Sequence, residues 1–202
     1  MLRTFTPIPP MVVRTRPVFD VTVEHFIEIC QDNPDLRVER SKKGDLIVMS
    51  PAGGETSHRN AQINYALQAW ANTNQEGIIF DSSGGFILPN GAIRSPDAAW
   101  VRRVRLELLS PEEKQKFLPL CPDFVIELRS PSDRLIDLQE KMEEYAENGA
   151  QLGWLIDPVE RQVLVYRPKE SVQQLLNPFE MSGDPELPGF ALRMEKIWEP
   201  GF

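Results

Sequence analysis

The chain has 202 residues, of which 41% are hydrophobic, and this suffices for the core of one domain. Its 30 acidic residues outnumber 22 Lys and Arg residues, for a formal net charge of −8. This balance excludes a protein that coats nucleic acid non-specifically, because phosphate contacts need clustered cations. No apolar run approaches the roughly 20 residues of a membrane span, so we expect a soluble, cytoplasmic protein.

The N-terminal half of the sequence predicts an irregular arm, two helices and a hairpin. Residues 1–19 are rich in proline and are expected to form the arm, with a single domain over 20–202. Apolar residues at helical spacing in "VTVEHFIEICQDN" indicate a first helix, and "GGETSHRNAQINYALQAWANTN" predicts a long second one. Between them, "LRVERSKKGDLIVMS" predicts two short strands joined by a Lys-Lys-Gly-Asp turn.

The C-terminal half alternates predicted strands with one well-marked helix. "GIIFDSSGGFILPNG" predicts two strands around a turn, and "SPDAAWV" and "DFVIELR" predict one strand each. "SDRLIDLQEKMEEYAENG" predicts a helix that Ser132 or Asp133 caps and Gly149 ends. "LGWLID" and "RQVLVYRP" then predict a strand pair. This order indicates an α/β fold, bordering on α+β, with helices on a mixed sheet.

A carboxylate, Glu127, follows three apolar residues in the predicted strand "DFVIELR". Because strand residues alternate between faces, Glu127 shares one face with Val125 and Arg129. A buried carboxylate without a partner costs several kcal/mol, so we expect it near the strand end, beside a cation or water. A second acid, Asp97, follows Pro96 and begins the apolar strand "SPDAAWV".

Two carboxylates on neighbouring strands would form an oxygen-rich site that suits Mg²⁺ or Mn²⁺. The backbone carbonyl of Leu128 can supply a further oxygen ligand. An ion at such a site polarises a phosphoryl oxygen and lowers the pKa of bound water, which is the chemistry of phosphodiester hydrolysis. A nearby lysine would stabilise the negative charge that develops.

Two residues are candidates for that cation. Lys141 lies on the flank of the buried face of the predicted helix, and Arg129 shares a strand face with Glu127. The two acids and Lys141 each also have a simpler interpretation. Asp97 can cap a turn after Pro96, Glu127 can pair with Arg129, and Lys141 can pair with Asp137 on the helix surface.

The stretches "SPDAAWV", "CPDFVIELRSPSD" and "EKMEEYAENGAQLGWLIDP" resemble the bacterial family of putative restriction endonucleases in the PD-(D/E)XK superfamily. The resemblance extends from "VTVEHFIEI" to "LPGFALRMEKIWE" and implies a restriction-endonuclease-like fold. It gives Asp97 and Glu127 the roles of the two motif acids. The third motif position is Arg129 instead of lysine, and the resemblance implies that Lys141 replaces it.

The resemblance also implies a role for the second helix. Glu55 matches an acid that can join the metal site, and His58 lies one turn further on. Either residue can instead have an ordinary surface or packing role.

The function expected from the resemblance is a Mg²⁺-dependent endonuclease that acts on DNA, or alternatively on RNA, as a homodimer. The basic residues Arg102, Arg103 and Arg105 follow the strand of Asp97 and can contact phosphates near the cleft, or can simply be a solvated strand exit. The alternative is a catalytically weak or inactive nuclease-like domain that binds a partner or regulates it. Arg129 and the acidic composition favour this alternative.

Overall fold

The computed structural model describes residues 9–201. Its helices are α1 (Val23–Asp32), α2 (Gly54–Asn74), α3 (Arg103–Glu107), α4 (Leu135–Glu147) and α5 (Glu195–Trp198). Its strands are β1 (Met11–Val13), β2 (Val38–Arg40), β3 (Leu46–Val48), β4 (Gly77–Asp81), β5 (Phe86–Ile87), β6 (Ile93–Arg94), β7 (Ala98–Arg102), β8 (Phe124–Leu128), β9 (Leu152–Asp157), β10 (Gln162–Tyr166), β11 (Gln173–Leu176), β12 (Glu180–Ser182) and β13 (Ala191–Arg193).

The central sheet has six strands in the order β11-β10-β9-β8-β7-β4. Strands β8 and β9 run parallel, connected by α4, and the other neighbours in this sheet are antiparallel. A second sheet has the order β1-β3-β2-β6-β5, and β12 pairs with β13. This mixed arrangement of sheets and helices confirms the predicted α/β fold.

Both faces of the central sheet are covered, because apolar side chains alternate along its strands. Phe124 and Ile126 of β8 pack into one core with residues of α2, α5 and the β12–β13 pair. Val125 packs on the opposite face, in a core that includes Met142 and Tyr145 of α4. Alternation therefore places Glu127 on the α4 face.

The predicted hairpin, the long helix α2 and the helix α4 are confirmed. Gly149, with φ +116°, follows α4 as predicted. The predicted N-cap is wrong: α4 begins at Leu135, and the Asp133 carboxylate instead accepts a hydrogen bond from the backbone N–H of Ser130. The Asp133 carboxylate is engaged in this tight turn and does not cap the helix.

Two further details differ from the sequence-based expectations. The strands of "GIIFDSSGGFILPNG" are not neighbours, since β4 pairs with β7 in the central sheet and β5 with β6 in the other. Residues 11–13 of the predicted irregular arm form β1, which pairs with β3, while residues 1–8 and 202 lie outside the described residues. Among residues 9–201, no helix is both long enough and apolar enough to cross a bilayer.

The pairing of β4 with β7 generates a stability prediction. A Cβ atom at Gly77 would overlap the indole ring of Trp100 and lie 2.5 Å from the carbonyl oxygen of Val101. We expect Gly77→Ala to lower the free energy of unfolding by about 1–3 kcal/mol, because neither the ring nor the backbone can move away freely. Urea denaturation measures this change.

Gly53 provides the matched control for this substitution. A Cβ atom at Gly53 meets nothing within 4 Å, so Gly53→Ala should leave the unfolding midpoint nearly unchanged. Equal effects of the two substitutions would contradict the close packing of β4 on Trp100.

Candidate active site

Asp97 and Glu127 come together because β7 and β8 are antiparallel neighbours. Ala98 pairs with Ile126 in the register, which brings the preceding Asp97 level with Glu127. The Asp97 Oδ2 atom accepts a hydrogen bond of 2.8 Å from the backbone N–H of Leu128. The predicted meeting of the two acids at one end of neighbouring strands is therefore found in the structure.

Helix α2 holds Asp97 from the other side. The Asn60 side-chain amide donates to Asp97 Oδ1 at 2.8 Å, and the Asn64 amide donates to the backbone carbonyl of Asp97 at 3.0 Å. These asparagines were not predicted as site residues. Nothing in the helix pattern of α2 distinguishes them from solvated polar residues.

Glu127 is buried, with 4% of its surface exposed, and is held by two residues of α4. The Tyr145 hydroxyl donates to Glu127 Oε1 at 3.0 Å, and the Lys141 ammonium lies 2.7 Å from the same oxygen. Tyr145 is on the next turn of the helix after Lys141, so both side chains reach the strand from one helix face. The predicted convergence of Lys141 on Glu127 is therefore present.

Lys141 is shared with a second buried glutamate that sequence reasoning missed. Glu39 of β2 accepts a hydrogen bond of 2.8 Å from Lys141 Nζ and another of 2.9 Å from the backbone N–H of Ser95. Arg94 of β6 bridges Glu39 at 3.0 Å and Glu144 of α4 at 2.7 Å. The sequence indicates Glu39 only as an acid between Val38 and Arg40 in a predicted strand. The same pattern is typical of an ordinary exposed strand.

The cluster has more negative than positive groups. Four carboxylates surround two cations, an excess of two negative charges when all are ionised; the groups are Glu39, Asp97, Glu127, Glu144, Arg94 and Lys141. Such an excess inside a protein is costly unless a cation or protons compensate it. A bound cation or added protons would relieve this excess.

The pKa shifts of the acids follow from how the two cations are distributed. Burial raises the pKa of Glu127 to about 8, and although Lys141 opposes this effect, the charges of Asp97 and Glu39 add to it. Burial also raises the pKa of Asp97. Burial likewise opposes ionisation of Glu39, but Lys141 and Arg94 together hold its pKa below the ordinary value.

Lys141 stays charged in this environment. Burial disfavours the ammonium, but the charges of Glu127 and Glu39 outweigh it and raise the pKa of Lys141. A permanently cationic lysine beside the acid pair has the character expected of a group that stabilises negative charge.

Arg129 has a different partner. Strand β8 ends at Leu128, and the Arg129 guanidinium pairs with the fully buried Asp157 at 2.8 Å. The simpler pairings of Glu127 with Arg129 and of Lys141 with Asp137 are not among the contacts of residues 9–201. Of the two predicted cations, Lys141 is the one that contacts Glu127.

The two remaining predicted residues lie on α2. Glu55 lines the cleft but is exposed and pairs with Arg59 at 2.9 Å, while His58 is half-buried on α2.

The basic run does not line the cleft within the described chain, because it lies at the opposite end of β7 from Asp97. Arg102 and Arg105 pair there with Asp123. The expectation that this run contacts phosphates beside the acids is therefore wrong.

The acid pair opens into a cleft of about 1480 Å³. The β2–β3 hairpin, the start of α2, the loop 130–134 and one side of α4 form its walls. Eleven acidic and seven basic side chains among residues 9–201 line it. Lys42 and Lys43 of the hairpin turn are exposed at its rim.

The residues at the base of the cleft fit a hydrated Mg²⁺ or Mn²⁺ ion. Within residues 9–201, no group of three or more His, Cys, Asp or Glu side chains is arranged to hold a metal. Magnesium commonly binds through one or two carboxylates and keeps several waters. Asp97 and Glu127 meet this requirement, and oxygen is the donor atom of both.

The mixed sheet places the two acids at the ends of neighbouring strands, and the helix that connects β8 with β9 contributes the lysine. Residues 23–195 match the model of the Uma2 family, described as "Putative restriction endonuclease". The chain belongs to this family, and the resemblance inferred from its motifs is confirmed.

A solved structure supports the same fold. The chain is similar to "a putative nuclease belonging to DUF820" from Anabaena variabilis, with a TM-score of 0.68 and 20% identity. The match covers 80% of this chain and 89% of that chain. A search of curated proteins found no match.

The raised pKa of Glu127 predicts how stability depends on pH in metal-free protein. The folded state holds the proton up to about pH 8, whereas a glutamate in the unfolded chain has its ordinary pKa of 4.5. The unfolded state therefore binds fewer protons between these values, and the contribution of Glu127 to stability falls as pH rises through this window. Glutamine cannot ionise and avoids this loss.

We expect Glu127→Gln to be more stable than the wild type above pH 8, by on the order of a few kcal/mol, with the gain vanishing near pH 4.5. Thermal and urea unfolding in EDTA measure the difference. Glu140→Gln, an exposed change on the same helix, should show no such pH-dependent gain. A Glu127→Gln variant that is less stable at pH 8–9 would contradict the raised pKa.

Proposed function

We propose that this chain is a divalent-metal-dependent endonuclease that hydrolyses phosphodiester bonds in DNA. The observation that carries the proposal is the contact of Lys141 with Glu127 at 2.7 Å, beside an Asp97 that is fixed to the same strand by the Leu128 N–H. Acid, acid and lysine from three elements converge at the base of an open cleft.

In the proposed mechanism, Asp97 and Glu127 would hold Mg²⁺ or Mn²⁺, and the Leu128 carbonyl would be a further oxygen ligand. The bound ion supplies Lewis-acid polarisation of a phosphoryl oxygen and a water of lowered pKa. Lys141 carries a fixed positive charge next to the acids and stabilises the negative charge that develops on the phosphate. Glu55 remains a candidate ligand only if its exposed side chain leaves Arg59.

Other residues of the chain keep the acids oriented. The Asn60 amide fixes one oxygen of Asp97 while the Leu128 N–H fixes the other. The Tyr145 hydroxyl and the Lys141 ammonium both contact Glu127 Oε1, and the contacts of residues 9–201 leave Oε2 available to a ligand. Preorganised groups of this kind lower the cost of reorganisation during a reaction.

The size of the cleft favours a polymer over a small phosphoester. Its volume of about 1480 Å³ exceeds the roughly 300–1,000 Å³ of typical small-molecule pockets. The exposed Lys42 and Lys43 at the rim are the proposed contacts to the phosphate backbone. A homodimer, which would present one cleft to each strand of a duplex, is part of the proposal, and RNA is the competing substrate in its test.

The acidic lining of the cleft favours a second candidate function. Eleven acids against seven bases repel a polyanion. In this alternative the chain is a catalytically weak or inactive nuclease-like domain that binds or regulates a partner. Cleavage assays distinguish the two functions.

Metal binding is the first test, because it needs no knowledge of the substrate. We expect calorimetry to detect Mn²⁺ binding to the wild type, and Asp97→Ala and Glu127→Ala each to abolish it, because each removes one of two carboxylate ligands. Glu140→Gln should bind as the wild type does. Undiminished binding in both alanine variants would place the metal elsewhere.

Cleavage tests the role of the lysine. With Mn²⁺ and plasmid DNA, we expect Lys141→Met to lower the cleavage rate by about 100-fold or more, as removal of a charge-stabilising group does, while Mn²⁺ binding persists. Lys196→Ala, which removes an exposed lysine of α5, should cleave at the wild-type rate. Parallel assays with single-stranded RNA identify the substrate. An unchanged rate in Lys141→Met would contradict the proposed role.

A further inference from the structure

Glu39 is the one carboxylate of the cluster that comes from the five-stranded sheet, and it contacts both sides of the proposed catalytic centre. It is 2% exposed. Its Oε1 atom accepts from Lys141 Nζ at 2.8 Å and from the Ser95 N–H at 2.9 Å. Ser95 precedes Asp97 by two residues, so one oxygen atom connects the lysine to the segment that carries the first acid.

The second oxygen of Glu39 is fixed independently. Arg94 Nη1 donates to Oε2 at 3.0 Å, and Arg94 is itself anchored on Glu144 of α4 at 2.7 Å. The Glu39 carboxylate therefore has both oxygens occupied and one orientation. Buried, fully partnered groups of this kind define the position of their neighbours.

Lys141 needs such a constraint. A lysine side chain has four rotatable bonds and a large rotamer entropy. A contact with Glu127 alone would leave the ammonium free to follow that acid, and a metal ion bound to Glu127 would weaken the contact. The second contact, to an acid outside the proposed metal site, fixes the ammonium independently of Glu127.

We infer that Glu39 is a positioning residue that holds the Lys141 ammonium in place beside the acids Asp97 and Glu127. It does not touch the proposed metal or the substrate and acts through Lys141. The inference rests on the proposed function for its catalytic meaning, but the placement of Lys141 can be measured without any activity. The competing interpretation is that Glu39 serves only as a counter-ion for Arg94.

The two interpretations are separated by a matched pair of variants. Glu144 is also buried, with 6% exposed, and pairs with the same Arg94, but its hydrogen bonds and ion pairs do not include Lys141. Glu39→Gln and Glu144→Gln thus both remove one acid from Arg94, while only Glu39→Gln removes an acid from Lys141. A counter-ion role predicts similar behaviour for the two variants.

Nuclear magnetic resonance of the lysine Nζ groups gives a direct readout. The chain has seven lysines, and six of them are exposed, at positions 42, 43, 114, 116, 169 and 196. Ammonium protons at these positions exchange rapidly with water, so we expect one persistent signal in ¹⁵N-labelled wild-type protein. Its absence in Lys141→Arg assigns it to Lys141.

We expect Glu39→Gln to lose or shift the Lys141 signal, and Glu144→Gln to retain it. In cleavage assays, kcat of Glu39→Gln should fall about tenfold or more, with KM and Mn²⁺ affinity little changed. If Glu39→Gln does not fold, Glu39→Asp replaces it, because the shorter acid keeps its charge but cannot span Ser95, Arg94 and Lys141 together. It should disturb the same signal.

An unchanged Lys141 signal in a folded Glu39 variant would overturn the inference, as would equal disturbance by Glu144→Gln. If the wild type cleaves neither DNA nor RNA, the proposed function fails and the resonance comparison alone decides the positioning role. If cleavage occurs but kcat is unchanged in the Glu39 variants, the positioning role is rejected while the nuclease function stands.

Discussion

The site depends on one shared cation, the Lys141 ammonium, which lies 2.7 Å from Glu127 and 2.8 Å from Glu39. Without it, Glu39 would keep only Arg94 as a partner, and Glu127 and Asp97 would face each other with no compensating cation among residues 9–201, at a cost of several kcal/mol. Helix α4 therefore has two functions in the fold. It covers the central sheet with Met142 and Tyr145, and it inserts a charge between strands of both large sheets.

This arrangement leaves an imbalance that explains the shifted acidities. Glu39 has both Lys141 and Arg94 as partners, and its pKa is lowered. Glu127 shares its only cationic partner among residues 9–201 and lies near Asp97, so its pKa is raised to about 8. The negative excess is therefore concentrated at the acid pair, at the base of the cleft. A divalent cation at that position would relieve the repulsion, which physically links the stability of the empty site to the proposed metal requirement.

The parts of the site that were predictable from sequence are those that depend on local periodicity. Alternation along β8 and the apolar entry to β7 identified Glu127 and Asp97, and helical spacing placed Lys141 on the flank of α4. Alternation misplaced Arg129 because the strand ends one residue earlier, after which the chain turns toward Asp157. The family resemblance then gave the fold.

The missed residues have partners that are distant in sequence. Glu39 lies in β2 and Lys141 in α4, 102 positions apart, so neither residue's neighbours in the sequence indicate the other. The separation of β4 from β5 has the same origin, since pairing with β7 and with β6 is decided by tertiary contacts. Local patterns could identify each strand but not its partner.

The central claim is that Asp97 and Glu127 form a metal site next to a fixed lysine. The most direct measurement is an anomalous difference map from crystals of the wild type grown with Mn²⁺, collected beside Lys141→Met crystals treated identically. We predict a peak within coordination distance of one oxygen from each acid in both crystals, with Lys141 still contacting Glu39 in the wild type. A peak elsewhere, or no peak at Mn²⁺ concentrations that saturate binding in solution, would contradict the claim.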